Sequence, residues 1–222
     1  GLSLDEAQEA KLNLVAKKMN FQPDDQVLDI GCGFGSAATY FAKKYKVKVL
    51  GVTLSKEQIN YYKQHFAHPN VEIRYQDYRK VSGKFDKIYS IGMFEHVGRK
   101  NYKEYYDKCY ELLNDDGIML IHTEGGVGTR GEWDHNNSTN KYIFPGGELP
   151  HISNFTEKFS DKWLLQDYQN FGLSYAKTLR AWRKNIGNWE GLDNYNNRFR
   201  RMWEYYLLWC AAGFQNRMIY LS

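Results

Sequence analysis

The segment Asp29-Ile30-Gly31-Cys32-Gly33-Phe34-Gly35 constrains this chain more than any other. It follows a short apolar run, Val27 to Ile30, and precedes the helical stretch Ser36 to Tyr45. Alternating glycines at that point let the backbone turn sharply and pass close to a ligand, while the next helix offers unbonded N–H groups to an anion. The alternation continues along the chain. Val47 to Val52 reads as a strand and Ser55 to His65 as a helix, with Val71 to Tyr75 and Phe85 to Gly92 as the third and fourth strands. Tyr102 to Leu113 reads as a helix closed by an Asn114 to Gly117 turn, and Ile118 to Thr123 as the fifth strand. Ahead of them all, Ser3 and Glu6 have capping-box spacing and open a helix with Ala7, Ala10, Leu14 and Val15 on one face. Such a pattern specifies an α/β fold: a parallel sheet covered by helices on both faces, with ligands outside the carboxyl ends of its strands.

With 42% hydrophobic and 25% charged residues, the 222-residue chain is read as one globular domain, 1–222, and disorder is excluded. A net charge of +4 is too mild and too dispersed to indicate nucleic acid. The 3 cysteines, Cys32, Cys109 and Cys210, are odd in number and far apart, so neither a disulfide framework nor a metal site is readable and a reducing, cytoplasmic setting is expected. No apolar run reaches the roughly 18 residues of a membrane span, which leaves membrane contact peripheral. Gly125 to Pro150 is too long for an ordinary connection and reads as an active-site loop. Beyond it, Trp163 to Asp167 reads as a further strand, and Tyr175 to Ile186 and Tyr195 to Ala212 as helices rich in aromatic residues. The chain stops in the apolar stretch Ile219 to Ser222, read as the start of a last strand.

The glycine turn calls for a nucleotide-type ligand. NAD fits less well, because the spacing is G-x-G-x-G and Thr53-Leu54-Ser55 stands where a ribose-binding acid is expected roughly 20 residues on. S-adenosylmethionine fits better: the N–H cradle of Gly31, Gly33 and Gly35 suits its carboxylate and Asp29 its ammonium group, while Thr53, Ser55 and Gln58 can bond the ribose or adenine side. Asp77 and Tyr78, after the third strand, are placed to meet the adenine. Glu95 and His96 follow the fourth strand, and His122 and Glu124 close the fifth. Carboxylates and a histidine beside a sulfonium are what proton abstraction from a carbon intermediate needs. They lack the regular spacing of metal ligands.

The blocks LDIGCGFG, GVTLSKEQ, QDYR, IGMFEHVGRKNY, IHTEG, NKYIFPGGELP, NFGLSYAKTLRAW and RFRRMWEYYL cover nearly the whole chain. Together they resemble the S-adenosylmethionine-dependent cyclopropane-fatty-acid synthases. The resemblance implies a class I methyltransferase (Rossmann-like) fold carrying a helical and loop lipid-binding insertion, and transfer of a methylene to the double bond of an unsaturated phospholipid acyl chain. It implies a bound bicarbonate as the base, held by residues corresponding to Glu95, His122, position 124 and Tyr175. The expected partner is an acyl chain at the inner face of a membrane, met by Arg180, Arg183 and Lys184 around Trp182 and by Arg198, Arg200 and Arg201 around Trp203, and a homodimer of a longer protein is compatible.

Two departures stand out. The family has a segment before this chain's Ser3, with a cysteine of the bicarbonate site, that none of the three cysteines matches, so the chain is expected to be a catalytic core. The position usually occupied by isoleucine is Glu124, which either serves as proton acceptor itself or contributes only its backbone. Two other readings stay open: a related carbon or nitrogen methyltransferase, and a non-catalytic cofactor- or lipid-binding module.

Overall fold

The computed structural model describes residues 1–127, 138–156, 162–186 and 195–222. They form two compact units: residues 1–123 with Lys162, and residues 124–222 without it.

The first unit opens with α1, Leu4–Met19, whose capping box is formed as expected: the Ser3 hydroxyl accepts the Glu6 amide and the Glu6 carboxylate accepts the Ser3 amide. Such a cap is worth about 1 kcal/mol. Then follow β1 (Gln26–Ile30), α2 (Ser36–Tyr45), β2 (Lys48–Thr53), α3 (Lys56–His65), β3 (Val71–Tyr75), β4 (Phe85–Ile91), α4 (Tyr102–Leu112) and β5 (Leu113–His122). All five strands are parallel, in the order β3-β2-β1-β4-β5. Chain progress reverses between β1 and β4, and that reversal opens a crevice at their carboxyl ends. Buried apolar residues account for the layers: Val15, Ala16 and Met19 of α1 join Val27, Val49 and Phe41 in one cluster with Ile118 and Leu120 of β5. The Asn114 to Gly117 turn differs from expectation. Leu113 already pairs with Phe85, and the register then jumps to Lys87 opposite Ile118, so the turn is an irregularity inside β5 rather than a break before it.

The second unit is built on a helix pair, α7 (Gly172–Asn185) and α8 (Asn197–Gln215), with a small antiparallel sheet of β6 (Glu124–Gly126) and β7 (Ile219–Leu221). Short helices α5 (Ser138–Tyr142) and α6 (Ile152–Thr156) lie between them in sequence. Part of the expected loop from Gly125 to Pro150 is thus strand and helix, and its residues 128–137 lie outside those described. The expected strand from Trp163 to Asp167 is not one: it joins neither of the sheets among the described residues, and Leu164 is 81% exposed. An apolar run alone does not make a strand without a neighbour for its backbone groups. The unit's core is Ala176, Leu179, Tyr206, Leu207, Cys210 and Phe214, joined by Leu221.

Candidate functional site

At the end of β1 the chain folds back on itself: the amides of Gly31 and Cys32 both donate to the Val52 carbonyl, at 3.0 and 3.1 Å. Gly31 has φ +79° and Gly33 φ +54°, left-handed conformations that favour glycine. A Cβ on Gly31 would lie 2.5 Å from the Met93 side chain, so the turn after β1 abuts the turn after β4. A Cβ on Gly33 would meet nothing within 4 Å, which leaves that stretch of backbone open. Among the described residues no backbone acceptor serves the amides of Gly33 and Phe34, and Gly35 caps α2 without a side chain. An open turn with free donors at a helix N-terminus fits the carboxylate of an amino-acid ligand.

Asp29 suits the other end of such a ligand. Its carboxylate is 2% exposed and accepts the Tyr89 hydroxyl at 2.7 Å. Burial pushes its pKa up to about 7, against the pull of Tyr89. A cation would restore its charge.

Beside it, three expected ligand residues bind one another. The Thr53 hydroxyl donates to Gln58 Oε1 at 2.6 Å and accepts the Ser55 amide, while Ser55 caps α3 by accepting the Gln58 amide. They stand at the carboxyl end of β2, yet the Ser55 hydroxyl is already committed to Gln58 and Glu57. Asp77 is likewise engaged: it accepts the Arg79 amide and guanidinium, and Arg79 holds its carboxyl below the usual range. Tyr78 is half-buried edge-on to Tyr105, and burial pushes its phenol up to about 12.

Glu95 sits half-buried in the 3₁₀ turn Phe94–His96, just beyond β4. The turn is anchored by Phe94, fully buried, stacked on Tyr102 at 4.4 Å and edge-on to Tyr105 at 5.2 Å. His96, in the same turn, faces solvent. His122 ends β5 opposite Ile91, and its carbonyl accepts the Gly92 amide at 2.9 Å, so the Glu95 turn and His122 leave adjacent strand ends. By strand alternation His122 shares a face with Ile118 and Leu120, the face on which α1 packs. It is 7% exposed; burial lowers its pKa to about 4, and the ammonium of Lys11 on α1 adds to the shift. At neutral pH the ring is therefore a neutral imidazole, with one nitrogen able to accept a hydrogen bond and the other to donate one. Lys11 escaped the sequence reading, although it lies one turn before Val15 on the inward side of α1.

Glu124 and Tyr175 belong to the second unit. Glu124 opens β6 opposite Leu221, and Tyr175 on α7 lies edge-on to Phe214 at 5.0 Å. Burial together with the Glu124 charge pushes the Cys210 thiol up to about 12 and raises the Tyr206 phenol, which also feels Tyr175. Neither Tyr206 nor Cys210 was expected, though their spacing of four on a helix signals a common face. Of the expected interfacial rings, Trp182 is exposed, whereas Trp203 is half-buried against Tyr206 at 5.3 Å. Arg183 is paired with Glu204 at 2.7 Å.

The protein-family model described as mycolic acid cyclopropane synthetase matches residues 1–222. Over 221 residues the chain is 42% identical to the cyclopropane-fatty-acyl-phospholipid synthase of Escherichia coli strain K12, covering 99% of this chain and 57% of that protein. It is 34% identical to a probable fatty acid methyltransferase of Pseudomonas putida, covering 99% of this chain and 59% of the relative. The chain thus spans a little under 60% of the length of these curated relatives. Among solved structures, the cyclopropane synthase MmaA2 from Mycobacterium tuberculosis superposes with a TM-score of 0.89 at 28% identity, covering 99% of this chain and 83% of the other. The mycolic acid cyclopropane synthase CmaA1 complexed with SAH and CTAB gives 0.90 at 30% identity, covering 99% and 84%. The architecture is that of class I S-adenosylmethionine-dependent methyltransferases, as the family resemblance implied, on the parallel sheet that the strand alternation led us to expect. By its full-length match to the family model and its identity to these relatives, the chain belongs to the mycolic acid cyclopropane synthetase family.

Proposed function

We propose that the protein forms a cyclopropane ring on the double bond of an unsaturated phospholipid acyl chain, with S-adenosylmethionine as cosubstrate. The observation that carries the reading is the contact of Gly31 with Met93, which sets the open N–H turn directly against the turn bearing Glu95. Methyl donor and proton acceptor would then adjoin at the crevice between β1 and β4. The SAH in a 30% identical structure supports the choice of cosubstrate. In this reading the amides of Gly33 and Phe34 hold the cosubstrate's carboxylate and Asp29 its ammonium, with Thr53, Gln58 and Ser55 at the ribose and Asp77 and Tyr78 towards the adenine. Bound there, S-adenosylmethionine supplies an electrophilic methyl group to the double bond, leaving a cation along the acyl chain. The cation closes to a ring when a C–H bond breaks and its electrons form the new C–C bond, the proton passing to a base. Glu95 and neutral His122 handle that proton in the first unit, with a bicarbonate ion as the acceptor the resemblance implies. In the second unit Tyr175 and Glu124 have the same task.

A membrane surface is the proposed source of substrate. On α8 the exposed residues Arg198, Arg201, Tyr205, Leu208 and Trp209 recur at helical spacing, an outward stripe with guanidinium groups at one end and apolar side chains beyond. That arrangement suits anionic headgroups above acyl chains. Among the described residues no helix is long and apolar enough to cross a membrane.

The test is mass spectrometry of unsaturated phospholipid vesicles incubated with the full-length protein and methyl-labelled S-adenosylmethionine. The expected product is a labelled lipid, one CH₂ heavier, without its double bond. A labelled lipid that keeps a double bond would replace the proposal with methyl branching, and label in a water-soluble amine would replace it with nitrogen methylation. Cosubstrate binding without labelled product would leave a non-catalytic module.

A further inference from the structure

Asp29 and Tyr89 face each other across the two strands at the switch point of the sheet. They are register partners in the β1–β4 pair, so their side chains leave the same face. The Tyr89 ring is completely enclosed and stands edge-on to Phe41 of α2 at 5.3 Å, within the apolar cluster that holds Val27 and Val49. Its hydroxyl donates to Asp29 Oδ2 at 2.7 Å. On the other flank Asp29 is paired with Gly51 of β2, and the Cys32 side chain takes the space that a Cβ there would need. A carboxylate walled in this way has two oxygens and one donor. Among the described residues no side chain donates to Oδ1. The phenol thus decides which oxygen is occupied, fixes the plane of the carboxylate and leaves the second oxygen to a ligand. Packing alone does not call for that hydroxyl, since a phenylalanine ring would fill the same space against Phe41.

We propose that Tyr89 is a positioning residue for the cosubstrate: its hydroxyl holds the Asp29 carboxylate so that Oδ1 meets an ammonium group, which selects an amino-acid-bearing nucleoside over a plain one. The proposal deepens the functional reading above and rests on its placing of S-adenosylmethionine. It also accounts for a buried phenol beside a buried carboxyl. Burial alone favours the neutral acid, whereas the Tyr89 hydrogen bond favours the charged form that attracts a cation. Tyr89 keeps its own proton, because burial and the Asp29 charge hold its phenol well above the ordinary value. The titratable groups facing Asp29 are Tyr89 from β4 and Cys32 from the glycine turn, whose thiol burial and the Asp29 charge also keep protonated. From α2 comes the Phe41 ring, and from β2 Gly51, neither of which titrates.

The test uses the full-length protein with Tyr89→Phe, which keeps the ring and removes the hydroxyl. In the ligand-free protein, carbon-13 titration of Asp29, its signal identified by Asp29→Asn, is expected to give a pKa higher by about one unit, the size of a hydrogen bond to a charged group. An unchanged Asp29 pKa overturns the proposal whether or not the protein makes cyclopropane lipids. Calorimetry with S-adenosylhomocysteine is expected to show affinity about tenfold weaker near pH 6, a loss that shrinks as pH rises through about 8 because Asp29 then ionises in both proteins. 5′-Methylthioadenosine has the nucleoside and the sulfur but neither ammonium nor carboxylate, and is expected to bind both proteins equally. Equal losses for the two ligands would mean that Tyr89 acts on the fold, and overturn the proposal. In an Asp29→Asn background, Tyr89→Phe is expected to cost no further affinity for S-adenosylhomocysteine, and the same loss there overturns it too. A wild-type protein that binds neither ligand overturns the functional reading and this proposal together, whereas wild-type binding that Tyr89→Phe leaves unchanged overturns the proposal alone.

Discussion

The two units solve the placing of polar groups in opposite ways. In the first, Asp29, Thr53 and His122 stand at the carboxyl ends of parallel strands, those of Asp29 and Thr53 paired on both sides and that of His122 on one, and each is seated by backbone geometry. In the second, Tyr206, Cys210 and Tyr175 depend on the packing of one helix against another, and large apolar side chains such as Tyr205, Leu208 and Trp209 remain in solvent. A sheet edge positions a few side chains rigidly. A helix pair supplies area, which suits a long apolar substrate better than a small charged one.

Substitutions can break this contrast. The largest effect is expected at Glu95: Glu95→Gln should reduce turnover about 10² to 10⁴-fold, while equilibrium dialysis finds S-adenosylmethionine binding unchanged. Unchanged turnover would move the proton acceptor wholly to the second unit. Next, Phe94→Ala should cost about 3–5 kcal/mol in urea unfolding, since a fully buried ring would leave a cavity beneath the Glu95 turn. Third comes pH. The unfolded chain protonates His122 near its ordinary value, while the folded chain resists until about 4, so stability is expected to fall as pH drops between those values, by up to about 3 kcal/mol. His122→Asn should flatten that part of the curve. Asp29 runs the other way, its contribution being lost as pH rises through about 7. An ammonium group beside it should expel its proton, so calorimetry near neutral pH in buffers of different ionisation enthalpy should detect proton release on cosubstrate binding, absent in Asp29→Asn. The smallest change in stability is expected on α8, where Leu208→Ser with Trp209→Ser should shift unfolding by under about 1 kcal/mol, yet weaken sedimentation with anionic vesicles several-fold.

The first unit was largely legible in the sequence because its signals are local. Ser3 with Glu6 and the alternating glycines each specify a geometry within a few residues. Local signals are also ambiguous: Ser55, read as a ligand, caps α3 as well, because a cap and a ribose call for the same residue type. Asp77 carries a similar ambiguity, since Arg79 two residues on also engages its carboxylate. The second unit was less legible. On α8 apolar residues occupy both the inward and outward sides, so periodicity could not tell that Trp203 turns to the core and Trp209 to solvent. Nor could spacing reveal the neighbourhood of Glu124 and Cys210, which depends on the pairing of β6 with β7.

The notch at Gly31 has a mechanical consequence. Because the Met93 side chain fills the space a methyl group would need, the two turns at the switch point of the sheet form a single part rather than two that move independently. Pressure on one is felt by the other, so a change as small as Gly31→Ala would displace the acid of the neighbouring turn without altering any side chain that meets a ligand.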